Sequence, residues 1–188
     1  MYRYVFYACV IFVTSTLLGY YAAATNEEEL VKIFSQISQE LSQIDSSGPV
    51  TLFLVIFFNN SFKIFISMIL GIFLGISSIV FVFANGLILG IVSFFIIQQA
   101  GLTFLLLGIL PHGIIEVPTV LFGAGYGLWL GNISYRKLRY NESLDIPKIK
   151  SNMRIALSAF KTYLIPLIFF AAFIEVFVTN SILHLFLV

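Results

Sequence analysis

The sequence predicts an all-α membrane protein: a polytopic helical bundle of about five transmembrane helices, with broken or half-helices and one extracytoplasmic amphipathic helix. Of its 188 residues, 60% are hydrophobic and only 10% are charged, and the mean hydropathy is +1.02. A soluble domain is about one quarter charged, so lipid is expected to surround most of this chain. Each crossing takes about 20 residues, which leaves no room for a separate soluble domain. Residues 1–188 are therefore expected to form a single integral membrane domain.

The first predicted crossing is the apolar run from Tyr4 to Ala24. Small residues at its end would also suit the cleavage site of a signal peptide, but the run is longer than the roughly 7–15 residues of a signal-peptide core. We therefore expect a retained helix. Cys9, the single cysteine, lies within this run and is expected to act as a small apolar side chain, since it has no internal partner for a disulfide.

A polar segment at residues 25–49 follows, and it predicts an amphipathic helix outside the membrane. Thr25 stands before three glutamates at residues 27–29, which are favourable near the positive end of a helix dipole. Apolar residues then recur at intervals of three and four, at Leu30, Ile33, Phe34, Ile37, Leu41 and Ile44. Because the helix is acidic, attraction to anionic lipid is not expected, and the helix should pack on the protein or hold a partner.

Residues 50–131 are apolar almost throughout and are expected to cross the membrane three times. Polar or turn-forming pauses interrupt the run at Asn59-Asn60, Asn85-Gly86, Gln98–Gly101 and Pro111–Gly113. The predicted spans are Phe62–Ala84, Gly86–Ile109 and Gly113–Gly131. The runs at residues 50–58 and 102–110 are expected to be half-helices, because neither is long enough for a crossing.

The connection at residues 132–154 is strongly basic and predicts the orientation of the chain. It contains six of the ten basic residues: Arg136, Lys137, Arg139, Lys148, Lys150 and Arg154. Positively charged connections stay in the cytoplasm, and Arg3 places the N-terminus on the same side. A fifth span that begins near Ala156 then leaves the C-terminus outside. The expected location is the cell membrane, with several crossings.

Polar residues lie within or beside the predicted spans at Asn59, Asn60, Lys63, Asn85, His112, Glu116 and Glu175. His112 and Glu116 are four residues apart and share one face of a helix. Glu175, in the last span, should lie at a similar depth in the outer part of the membrane, whereas Asn85 is expected towards the cytoplasmic side. Because a charge inside a bilayer is costly, Lys63 is expected to pair with Glu116 or Glu175.

Three interpretations of this polar cluster remain open. The residues could hold the bundle together through hydrogen bonds between helices, line an ion or proton pathway, or bind a metal ion. The candidate metal ligands are His112, Glu116 and Glu175, but HGIIE differs from the HExxH of zinc peptidases, so no metal site is assigned and no cofactor is expected. An enzyme is not expected either, because no convincing nucleophile is present. His184 is expected to be an unrelated interfacial residue.

Glycines in GxxxG spacing predict close packing between helices. They occur in GIFLG, GLILG, GAGYG and GLWLG, which comprise Gly71, Gly75, Gly86, Gly90, Gly123, Gly127 and Gly131. The same spacing is found in membrane helix dimers, so a homodimer is one expected partnership.

Several of these segments together resemble the stage II sporulation protein M family of integral membrane proteins. The resemblance rests on Asn59-Asn60, on Asn85-Gly86, on PHGIIEVPTVLFGAGYGLWLG and on FIEVFVT in the last span. The most distinctive motif of the family is HG-x-x-E-[LIV]-P, here His112, Gly113, Glu116, Val117 and Pro118. The family's glutamate in the final helix corresponds to Glu175, and Thr119 replaces its usual alanine. The resemblance extends over residues 50–179.

The resemblance implies a membrane scaffold rather than an enzyme. In spore-forming bacteria the family member supports two cell-wall hydrolases during engulfment, although the family also occurs in archaea and in bacteria that do not sporulate. We therefore expect a non-enzymatic scaffold in the lipid bilayer that recruits other membrane or cell-envelope proteins. The alternative is an ion or small-solute channel or transporter that uses the buried Asn/His/Glu cluster. Nucleic acid is not an expected partner, because the chain has no sizeable basic domain.

Overall fold

The computed structural model describes residues 1–28, 30–32, 48–140, 146–179 and 181–182. Within these residues the regular secondary structure is helical and no strand occurs. The prediction of an all-α membrane bundle is therefore confirmed. Most of the predicted amphipathic helix at residues 25–49, and His184, lie outside the described residues.

Four helices in this part of the chain are long and apolar enough to cross a membrane. Their bounds are Tyr2–Thr25 for α1, Pro49–Leu70 for α2, Ile76–Tyr140 for α3 and Ile146–Thr179 for α4. Helix α2 begins where Gly48 has a φ of 95° and Pro49 supplies the fixed φ that suits a first helical residue. The Gly-Pro pair that closes the polar segment thus starts the second crossing.

Helix α4 is not uniform along its length. It is α-helical over Ile146–Ala159 and Ile165–Phe173, and a π-helical turn follows each part, at Phe160–Leu164 and at Ile174–Thr179. Pro166 has no N–H to bond the carbonyl four residues earlier, and the first π turn lies directly before it. The second π turn carries Glu175.

Helix α3 is folded into an antiparallel hairpin at Gly101. This glycine has a φ of 85° and a ψ of 169°, a conformation outside the helical region that only glycine adopts easily. The two arms, residues 76–100 and 102–140, meet in pairs that are nearly equidistant from it: Asn85 with Glu116, Val82 with Leu121, and Ser78 with Gly127. The described part of the chain therefore contains five long apolar segments, because α3 supplies two.

The five segments run between the same two ends of the bundle. At one end, Tyr4 of α1, Leu74 and Tyr135 border one depression. At the other end, Ala23 of α1 packs on Phe94 and Phe95, which precede the Gly101 turn. The N-terminus therefore lies at the same end of the bundle as the basic residues after Gly131. We name this end the basic end. Three segments connect the polar residues after α1 to this basic end, which agrees with the predicted odd number of crossings.

The predicted boundaries of two of these three crossings are wrong. The expected span Gly86–Ile109 is divided by the reversal of the chain at Gly101. The expected span Phe62–Ala84 does not form, because α2 ends at Leu70 and the chain turns back over residues 71–75. Leu74 and Gly75 have positive φ values of 60° and 77° in this turn. The turn has the sequence GIFLG, so no polar residue marks it, and the GxxxG spacing there predicts helix packing equally well.

The two predicted half-helices are also wrong. Residues 50–58 are the first part of α2, and residues 102–110 are the first part of the second arm of α3. Neither Asn59-Asn60 nor Pro111 stops its helix. In lipid, a helix continues through such residues because every other backbone conformation leaves more N–H and C=O groups without partners.

Glycines bring the helix backbones into direct contact. Each glycine of the predicted GxxxG pairs faces another helix or the 71–75 turn, and at each a Cβ atom would clash or crowd. The contacts join Gly71 to Gly127, Gly75 to Leu128, Gly86 to Ser15, Gly90 to Thr16, Gly123 to Ile64 and Gly131 to Gly75. All of these partners belong to the same chain, so the glycines act within the bundle and the expected homodimer draws no support from them.

The outer surface of the bundle is apolar and aromatic. Phe6 of α1 and Phe62 of α2 are 64% and 66% exposed, and Phe73 of the 71–75 turn is 67% exposed. Side chains of this size rarely stand exposed in numbers on a water-soluble protein. This surface is suited to contact with lipid tails, in agreement with the composition of the chain.

Candidate functional site

A half-open cavity of about 340 Å³ lies between α1, both arms of α3 and α4. Phe12, near the middle of α1, and Ile88, near the middle of the first arm, are two of its lining residues. The cavity is therefore at mid-depth, which is deeper than the outer position that the sequence predicts. Most of its wall is apolar, and its polar lining consists of Asn85, His112, Glu116 and Glu175.

His112, Glu116 and Glu175 form the chemical centre of this cavity. Their nearest potential ligand atoms all lie within 4.8 Å of one another. His112 and Glu116 share one face of the second arm because they are one helical turn apart, and Glu175 comes from the π turn at the end of α4. Such turns widen a helix locally and are frequent at functional sites. We name these three residues the acidic–histidine triad.

A hydrogen bond fixes one member of the triad. Asn60 of α2 donates from Nδ2 to Oε1 of Glu116 at 2.8 Å, and both side chains are partly buried. Asn60 thereby connects a third helix to the triad. A hydrogen bond between membrane helices contributes on average about 0.6 kcal/mol and at most about 1.7 kcal/mol, so this contact orients Glu116 more than it stabilises the fold.

His112 lacks the same support. Its Nδ1 atom is buried and has no hydrogen-bond partner, although most buried polar atoms in proteins have one.

Two prolines lie close to His112 in the chain, at Pro111 and Pro118. Each removes one backbone N–H from the second arm. Thr119 is completely buried and donates to the carbonyl of Ile115 at 2.6 Å.

Two residues of the predicted polar cluster lie outside it. Asn59 and Lys63 are both exposed. Successive residues of a helix are about 100° apart, so Asn59 cannot face the second arm when Asn60 does. The Lys63 nitrogen does not come within 4.0 Å of a carboxylate oxygen of Glu116 or Glu175, so the pairing expected from the sequence is not present.

Asn85 lies in the cavity rather than towards the cytoplasmic side. Its Nδ2 donates to the carbonyl of Phe81, one turn earlier in the same helix, at 2.7 Å. The expected position was wrong because it assumed that Asn85 lies between two spans. Once the hairpin is known to turn at Gly101, residues 85 and 117 are opposite each other, so the Gln98–Gly101 pause was the signal that could have located Asn85.

The arrangement is suited to holding a cation or a proton. It presents two carboxylates, one imidazole and the amide of Asn85 around a space large enough for water or an ion, and the amide of Asn60 holds one of the carboxylates. No serine, threonine or cysteine lines the cavity, so the described residues bring no hydroxyl or thiol nucleophile to the triad.

Comparison with known proteins identifies the family. The sequence model of one family, described as Stage II sporulation protein M, matches residues 8–180. No curated protein and no solved structure matches the chain. The matched region contains the HGIIEVP segment, the hairpin turn at Gly101 and Glu175, which together build the cavity. Since the match covers nearly all of the helical bundle, the chain belongs to the stage II sporulation protein M family.

Proposed function

We propose that this protein is a non-enzymatic scaffold of the cell membrane that recruits other membrane or cell-envelope proteins. The observation that carries the proposal is membership of the stage II sporulation protein M family over residues 8–180. In spore-forming bacteria a family member acts as a scaffold for cell-wall hydrolases. We extend this scaffold role to this chain, but not the identity of the partners.

The basic end of the bundle provides one surface for such a role. The second arm of α3 continues past its last packed glycine, Gly131, and residues 135–140 are all exposed. This extension combines basic side chains with exposed apolar ones, including Leu138 at 70% and Tyr140 at 65%. Arginine and aromatic residues are enriched at protein interfaces. The acidic residues after α1, of which Glu27 and Glu28 are exposed, provide a second surface at the opposite end.

The proposed orientation places the basic end in the cytoplasm. It follows from the six basic residues of the connection at 132–154 and from Arg3 at the same end. In this orientation the acidic segment and the C-terminus are outside, where cell-wall partners would be met.

Site-specific photo-crosslinking in membranes of the source organism tests the scaffold. The crosslinker is placed at Glu28, at Arg139, or at the lipid-facing control position Phe62 in α2. We expect defined protein adducts from Glu28 or Arg139 and none from Phe62, and we expect charge reversal at the neighbouring Glu27 to abolish the adducts formed from Glu28. Equal labelling from all three positions, or none from either polar end, would contradict the scaffold.

The mid-depth cavity favours the second candidate, an ion or small-solute channel or transporter. Its polar wall contains three titratable groups at a depth where lipid would otherwise surround them. Ion flux into liposomes should be compared for the wild type, Glu116→Gln and the control Glu28→Gln. Selective flux that only Glu116→Gln abolishes, with folding intact, would establish a conduction path. A wild type without flux would exclude this candidate and leave the scaffold.

A further inference from the structure

We propose that His112, Glu116 and Glu175 form a binding site for one divalent first-row transition-metal ion, with Zn²⁺, Mn²⁺ and Fe²⁺ as the suitable class. The site would join α4 to the second arm of α3 inside the membrane. The metal site does not depend on the scaffold role, because it concerns how α4 is held against the second arm of α3.

The geometry of the triad is close to that of a metal site. Ligand atoms about 2.1 Å from a tetrahedral ion are about 3.4 Å apart, whereas the three atoms here lie within 4.8 Å of one another. Side-chain rotations that move the atoms by about 1 Å would complete three bonds of this length. The cavity of about 340 Å³ leaves space for water as a fourth ligand.

Two details around the triad point to a ligand that completes it. The Nδ1 atom of His112 is buried and has no hydrogen-bond partner, and a metal ion would satisfy a ring nitrogen at this place. The amide of Asn60 already holds one oxygen of Glu116. Metal-binding carboxylates are commonly oriented by such outer hydrogen bonds, which leave the second oxygen for the ion.

The charge of the site also favours a divalent cation. Glu116 and Glu175 approach each other in a largely apolar cavity, and carboxylates in such surroundings require a partner of opposite charge or a proton. Lys63 is near enough to act on Glu116 electrostatically, but it is exposed and forms no ion pair with either glutamate. A metal ion bound by both carboxylates would supply the missing positive charge at the centre of the cluster.

The ligand types select among metals. One imidazole and two carboxylates suit Zn²⁺, Mn²⁺ and Fe²⁺, whereas Cu⁺ prefers sulfur ligands, and Ca²⁺ and Mg²⁺ prefer oxygen alone. A site of this kind would fix Glu175 and the π turn of α4 against the second arm. The metal would then act as a structural clamp at the point where the cavity keeps the helices apart.

Metal binding to the purified full-length protein in detergent tests the proposal. The protein is treated with a chelator, and Co²⁺ is titrated while its visible absorption is recorded, because this absorption reports ligation by nitrogen and oxygen. Zn²⁺ and Mn²⁺ stoichiometries are measured by mass spectrometry after dialysis. We expect one ion per chain, at least tenfold weaker binding in His112→Ala and Glu175→Gln, and about tenfold weaker binding in Asn60→Leu. Glu28→Gln, an identical chemical change at an exposed position, should bind like the wild type.

The Glu175→His variant keeps the test decisive if Glu175→Gln does not fold. This variant retains a ligand, so it should bind Co²⁺ with a shifted absorption spectrum. Folding is checked by size-exclusion chromatography. A folded wild type that binds no divalent ion, or a folded Glu175→Gln that binds as tightly as the wild type, would overturn the metal site. Protonation or a monovalent ion would then remain as the way in which the two carboxylates are accommodated.

Discussion

Two stretches of the second arm of α3 are packed in opposite ways. Around Gly127 the arm meets Gly71 at backbone distance, with no room for a side chain. Two to three turns earlier, around Glu116, the same arm borders a cavity of about 340 Å³. Both stretches contain glycine, but only the first packs against another part of the bundle through it. A Cβ atom at Gly113 would meet only the side chain of Ile109, which lies one turn earlier in the same helix.

The difference shows how the bundle divides its tasks. In lipid, helices associate through close packing and through hydrogen bonds rather than through the hydrophobic effect. On the second arm, the glycine contacts near the basic end provide the packing, and the arm remains apart from its neighbours where His112 and Glu116 need space. The chemistry of the protein is therefore expected in the open stretch, and its stability in the closed one.

The largest expected effect separates Gly71→Ala from Gly113→Ala. A Cβ at residue 71 would lie 2.6 Å from the carbonyl oxygen of Gly127, whereas a Cβ at residue 113 would meet only the Ile109 side chain, at 3.1 Å. Overpacking costs about 1–3 kcal/mol, so Gly71→Ala should lower the free energy of unfolding by this amount. Gly113→Ala should change it by less than about 1 kcal/mol in either direction, because alanine also favours the helix. Unfolding in mixed SDS micelles measures both, and equal losses would remove the distinction between the two stretches.

An intermediate effect is expected from Asn60→Leu, which removes the donor to Glu116. The lost hydrogen bond should lower the free energy of unfolding by about 1 kcal/mol. In a double-mutant cycle with Glu116→Ala, the two changes should not be additive, because either one already breaks the contact. Asn59→Leu is the matched control at an exposed position and should leave stability unchanged. Additive losses would mean that the contact between Asn60 and Glu116 does not hold α2 to the open stretch.

The smallest effect is expected from Lys63→Met. Lys63 is exposed and forms no ion pair with the triad, so the unfolding midpoint of this variant should equal that of the wild type within error. The same micelle unfolding assay applies, with Asn59→Leu as the reference for a neutral exposed change. A loss of stability as large as that of Asn60→Leu would mean that Lys63 pairs with a glutamate of the triad, as the sequence suggested. An ion pair would then join packing and hydrogen bonding as a third kind of contact in the comparison.

Hydropathy predicted the class of the fold and the odd number of crossings between the polar segment and the basic connection, but not where each helix ends. In a soluble helix the buried and exposed faces differ in polarity, and this pattern marks boundaries and orientation. In lipid both faces are apolar, so Phe62, which faces outwards, and Ile64, which is buried, carry no mark that distinguishes them. The turn at residues 71–75 was missed for this reason, since GIFLG contains no polar residue.

The candidate site was predictable in part. His112 and Glu116 are linked by their spacing on one helix, a local property that the sequence contains. Asn85 and Asn60 were harder to place, because their distance from Glu116 depends on where two hairpin turns occur. The exposure of Asn59 and Lys63 depends on how α2 is rotated against its neighbours, and the contact of Ile64 with Gly123 settles this rotation.

The sequence by itself determined that this protein lies in a membrane, that its helices pack through glycine, that one histidine and one glutamate share a helix face, and that it resembles its family. Only the tertiary structure decided that Glu175 and Asn85 reach the same cavity, that Lys63 does not, and that the glycines act within the chain. The physical reason is that composition and spacing act along one helix, whereas the meeting of side chains from different helices depends on turns and rotations that a uniformly apolar sequence does not mark.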